Sequence, residues 1–137
     1  MPQPLADIGD RIELLKMTLG MFAPEEPAPI AAELVELGTE IFEHWLIDRG
    51  EAAAVEISGP RLLALHAAAV FGEPSFAALA GACRELLRLR DLVMADPEHA
   101  ETVERLVMAA AAAGDIYSGV TGRMTAGGSG NPPAGQR

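Results

Sequence analysis

The stretch from Pro60 to Met94 constrains the fold most. It reads PRLLALHAAAVFG, then EPS, then FAALAGACRELLRLRDLVM, which predicts two helices joined by a tight turn. Pro60 suits a helix start, where its missing N–H is no loss. Gly72 is a natural helix stop, Pro74 cannot continue the helix, and Ser75 is placed to cap the next one. In the first of these helices Leu62, Leu63, Leu65, Val70 and Phe71 point in every direction, and Ala64, Ala67, Ala68 and Ala69 fill the gaps. A helix with no polar face is normally buried. Residues 60–72 are therefore expected to form a central helix, with the others packed around it.

The rest of the chain reads the same way. Half of its 137 residues are apolar and only 4% are aromatic; alanine is abundant and β-branched residues are sparse, a balance that favours helix over strand. One core is sufficient for this length. Over residues 4–22, Leu5, Ile8, Ile12, Leu15, Leu19 and Phe22 recur at three- and four-residue steps and draw one apolar seam. Leu14, Met17 and Met21 fall on the opposite side, near Asp10. After the stiff APEEPAP link, a second helix runs from about Pro29 to Asp48 and stops at Gly50. Leu34, Leu37, Ile41 and Trp45 form its apolar line, widened by Val35, Phe42 and Leu46, and Gly38 marks the close approach of another helix. Residues 51–57 read as a short helical turn. A fourth helix is expected over 75–94, with Phe76, Leu79, Cys83, Leu86, Leu87 and Val93 inward, and a fifth from Asp96-Pro97 to Gly114, with His99, Val103, Leu106, Val107, Ala110 and Ala113 inward. The expected fold is all-α: a single-domain bundle of about five helices over residues 1–117 with a flexible, disordered tail over 118–137, where Gly, Ser and Pro replace any periodic pattern.

Charge is distributed unevenly. Residues 1–60 hold twelve acids against three bases, whereas residues 61–95 hold three acids against four bases, in a chain of net charge −10. A nucleic-acid binder needs the opposite sign on its contact face, so nucleic acid is not the expected partner. No apolar run approaches the ~20 residues that span a bilayer. The opening MPQPLADIGD lacks the basic and apolar regions of a secretory signal. A cytoplasmic, bacterial protein is expected.

The motifs that carry chemistry are few. Neither a phosphate-binding loop with its lysine nor a Cys-x-x-Cys or His-Glu-x-x-His pattern occurs. Glu40, Glu43 and His44 resemble the carboxylate and histidine ligands of di-iron helical bundles, which need a second such cluster facing the first. Of the candidates for it, His99 shares a face with Val103 while Glu98 and Glu101 turn away, so neither metal nor cofactor is expected. Cys83 lies among alanines on a buried stripe and reads as an inert core residue. His66, with the FAALAGACRELLRL segment that follows the turn, resembles histidine phosphotransfer domains, helical bundles with a phospho-accepting histidine on a central helix. That likeness implies phosphotransfer through His66 as an alternative function, although the family's lysine and glycine positions read AAAV here. A helix-turn-helix DNA-binding regulator is a further alternative, based on the spacing from Ala68 to Gly72.

The reading that remains is a small non-enzymatic protein-interaction module, a regulator, adaptor or assembly factor, acting through helical surfaces. Two surfaces are candidates. One is the side of the first helix that carries Leu14, Met17 and Met21, since methionine suits adaptable contacts; a second copy docked there would make a homodimer. The other is the row of Glu33, Glu36, Glu40 and Glu43 on the second helix, with no base between them, which fits a partner with a basic surface.

Overall fold

The computed structural model describes residues 3–50 and 59–124. Helix α1 spans Leu5–Met21, α2 Pro27–Asp48 and α3 Arg61–Gly72; a 3₁₀ turn over Pro74–Leu79 leads into α4, Ala80–Ala95, and α5 spans Thr102–Arg123. No strand occurs among the described residues. The fold is the expected all-α bundle of five helices. Residues 51–57, expected as a short helical turn, lie outside the described residues.

The apolar periodicities of α1 and α2 fold largely as they read, whereas Val107 of α5, expected inward, is 43% exposed. Ile8, Ile12, Leu15 and Leu19 of α1 are buried, as are Leu34, Val35, Leu37, Ile41, Phe42, Trp45 and Leu46 of α2. Burying a side chain of this size contributes about 1.5–3 kcal/mol relative to leaving it exposed. Pro27 opens α2, where it forfeits no hydrogen bond. Gly50 closes that end with φ at 72°, the left-handed conformation that favours glycine. Inside α2 the buried Thr39 hydroxyl donates to the Val35 carbonyl at 2.8 Å, so it adds no unsatisfied group to the core.

The central helix is α2, not α3. Helix α2 contacts each of the other four helices. In α3 only Leu62, Leu65, His66 and Ala69 are buried, and Phe71 is 93% exposed. Alanine accounts for the difference from the expectation. A ring of alanines makes a helix apolar on every side without giving every side enough volume to recruit a neighbour. Helix α3 therefore packs with one face against α2, Leu62 beside Gly38 and His66 against Phe42.

Three boundaries differ from the sequence reading. The expected fourth helix is split: residues Pro74–Leu79 wind as 3₁₀, with the Phe76 N–H bonded to the Glu73 carbonyl at 3.0 Å, and the α-helix begins only at Ala80. The tighter winding drops Phe76 into the core, edge-on to Trp45 with ring centroids 4.7 Å apart. The fifth helix begins at Thr102, because residues 96–101 form turns closed by His99 N–H to the Asp96 carbonyl and Thr102 N–H to the His99 carbonyl. It then runs past Gly114 and Ser118 to Arg123, with Ile116 and Val120 buried. Gly114 is not a stop; it lies where Ile12 and Lys16 of α1 approach α5. The expected tail thus starts within a helix, and its remainder from residue 125 lies outside the described residues.

Gly38 anticipates a close helix approach, and three helices meet there. A Cβ at this position would lie 3.2 Å from Leu86 of α4, 3.5 Å from Ile116 of α5 and 3.7 Å from Leu62 of α3. Gly38→Leu has no space to fill and is expected to cost at least about 2–3 kcal/mol by overpacking. Gly38→Ala is expected to stay within about 1 kcal/mol of the parent, because the gain in helix propensity offsets the tight contact. Urea unfolding of the two variants checks both values.

Candidate interaction surface

Helix α1 has two faces with opposite surroundings. Its seam is buried, while Leu14, Met17 and Met21 on the far side are 48%, 61% and 68% exposed, and Phe22 just past the helix end is 65% exposed. The same 3.6-residue repeat generates both faces: one seam satisfies α2 and α5, and no element of the described chain covers the other. Phe22, read as part of the seam, leaves it because the chain turns extended at that residue.

The glutamate row of α2 is not uncompensated. The Arg11 guanidinium on α1 donates to both oxygens of Glu33, at 2.6 and 2.9 Å, a bidentate pair that raises the arginine pKa. Arg61 at the start of α3 donates to Glu43 at 2.8 Å. Glu40 accepts the backbone N–H of Gln3 at 3.1 Å. Only Glu36 stands exposed without such a contact. Bases absent from the helix itself come from its neighbours, which is invisible in a single-helix projection.

His66 is 8% exposed; its Nε2 lies 2.9 Å from the Phe76 carbonyl oxygen, and its ring meets Phe42 at a centroid distance of 5.3 Å. The ring nitrogen therefore donates to backbone and ties α3 to the 3₁₀ turn. A phosphate-accepting nitrogen must reach solvent and a donor protein, and this one does neither. Cys83 is wholly buried, and that burial pushes its thiol pKa up to about 12 despite the opposing charge of Arg84.

The metal-like residues also separate. His44 bonds the Gln3 carbonyl at 2.6 Å. His99, expected inward, is exposed in the turns before α5, where its Nδ1 accepts the Glu101 N–H at 3.0 Å. Among the described residues no three His, Cys, Asp or Glu side chains gather as a metal site would require. The segment that a helix-turn-helix would use for recognition is the 3₁₀ turn, and Arg88 and Arg90 beyond it pair with Glu85 and Asp91. The Arg88 hydrogen bond holds the Glu85 carboxyl below its usual range. No helix among the described residues is long and apolar enough to cross a membrane.

The chain matches no known protein-family model, no curated protein and no solved structure.

Two outcomes test the buried groups. His66→Leu leaves the Phe76 carbonyl without its donor, and urea unfolding should show a loss of roughly 1–2 kcal/mol. A neutral effect would mean the hydrogen bond contributes nothing net. The Cys83 thiol should resist a thiol-specific reagent at pH 8 in the folded protein and react at once in urea. Rapid native labelling would contradict its burial.

Proposed function

We propose that this protein is a non-enzymatic interaction module, a regulator, adaptor or assembly factor that binds another protein through the outer face of α1. One observation carries the reading: Leu14, Met17 and Met21 form an exposed apolar stripe on a helix whose other face is packed, and Phe22 just past the helix end is exposed as well. Apolar residues scattered singly over a surface are ordinary, but a contiguous stripe marks a contact site. Methionine supports this assignment because its unbranched, polarizable side chain adapts to a partner at small entropic cost. A cytoplasmic setting fits the acidic composition and the single buried cysteine. The glutamate row ranks second as a docking face, since Arg11 and Arg61 already engage two of its four carboxylates.

Capture from an extract of the source organism tests the reading. The wild-type chain, immobilised through its C-terminus at moderate salt, should retain a defined protein or a further copy of itself. Met17→Glu with Met21→Glu should abolish that retention while leaving helicity unchanged, because both side chains point to solvent. Glu36→Gln should retain the partner. Equal retention by the Met17→Glu/Met21→Glu variant would move the contact elsewhere.

A further inference from the structure

We infer that the occupant of the α1 face is a second copy of this chain, the two α1 helices lying antiparallel across a two-fold axis at Met17. The inference rests on the reading of that face as a docking surface and names its partner. Charge is the first argument. Between Leu14 and Pro24 the only charged residue is Lys16, in a chain of net charge −10. Two copies repel wherever their acidic surfaces meet, and this stretch brings no acid of its own to the contact. Lys16 itself points sideways, 3.5 Å from Glu13 and toward Gly114 of α5, so it leaves the apolar stripe clear.

The helical positions then select the direction. Asp10 lies on the outer face with Met17, one helical repeat away. Parallel helices would stack Asp10 on its own copy and set the two helix dipoles side by side in the same sense; antiparallel helices separate the two aspartates to opposite ends and oppose the dipoles. With the axis at Met17, Leu14 of the copy lies level with Gly20, one residue short of Met21, its neighbour on the same side of the contact. Glu13 of the copy lies level with Met21, one residue past Gly20 and on the same side as Gly20. Gly20 leaves room for that placement: a Cβ there would meet nothing in its own chain.

Area sets the strength. The four exposed side chains offer on the order of 400 Å² per copy, about half of what each partner contributes to a standard interface. Gly9 lies beneath Tyr117 and Ile12 beside Gly114, and the same antiparallel register carried onward sets Val107 of α5, 43% exposed, level with the end of α1. A dimer held by so small a face is a weak one.

Sedimentation equilibrium and oxidative crosslinking test the arrangement together. The wild type should dimerise with rising concentration, and Met17→Glu with Met21→Glu should weaken dimerisation by at least about a hundredfold, since it sets buried carboxylates against one another. The buried Cys83 leaves the wild type uncrosslinked. Met17→Cys should crosslink to itself, and Leu14→Cys mixed with Met21→Cys should crosslink as a pair. Leu14→Cys or Met21→Cys alone should not. Self-crosslinking of Leu14→Cys and of Met21→Cys would show parallel helices and overturn the inference. So would a wild type that stays monomeric at every concentration; if that monomer still loses a captured host protein on Met17→Glu/Met21→Glu, the α1 docking surface stands and only its partner is wrong. Should the glutamate variant unfold, the cysteine pattern decides alone.

Discussion

Three helices converge on Gly38, and the bundle is arranged by what that point allows. With no Cβ on α2, Leu62, Leu86 and Ile116 from α3, α4 and α5 all reach its backbone. A larger residue would push at least one of them away and separate the layers that bury Leu34, Ile41 and Phe42. A Cβ here needs Leu86 to give by only a few tenths of an ångström, whereas a longer side chain finds the space already filled by three neighbours. The apolar line of α2 runs through this glycine, which lets three helices pack on α2 while the more uniformly apolar α3 stays at the side.

A second constraint acts at the end of the core. Phe76 enters beside Trp45 and Phe42, and its carbonyl receives the His66 hydrogen bond. One residue thus supplies an apolar ring to α2 and a polar acceptor to α3. The 3₁₀ winding makes both possible, since it turns Phe76 inward while leaving Ala77 and Ala78 outside. Arg49 covers the far side of Trp45, 4.0 Å above its ring. The polar groups in this region are satisfied locally, and neither His66 nor Cys83 is left open to solvent.

The interaction surface is defined by contrast. Ion pairs between helices neutralise much of the acidic face of α2 and tie α1 and α3 to it, although pairs this exposed contribute little individually to stability. The outer face of α1 receives no comparable cover. It presents a neutral, methionine-bearing strip beside the acidic face of α2.

The helices, their buried seams, the inert Cys83 and the exposed side of α1 were legible in the sequence, because a 3.6-residue repeat records directly which residues share a face. Gly38 was legible too, since a glycine inside an apolar helix line sacrifices helix propensity and makes room for a neighbour to come close. Other features depended on residues far apart in the chain. Arg11 and Arg61 reach the glutamates of α2 only after the helices have packed, and His66 finds its acceptor ten residues away only once Phe76 is wound into the core. The end of α5 was misread because Gly114 signals a stop in one dimension and a helix contact in three. Local periodicity determined which faces are apolar; which of those faces are covered, and which charges are answered, was decided by tertiary packing, because volume and partner charge belong to the neighbours and not to the helix that displays the pattern.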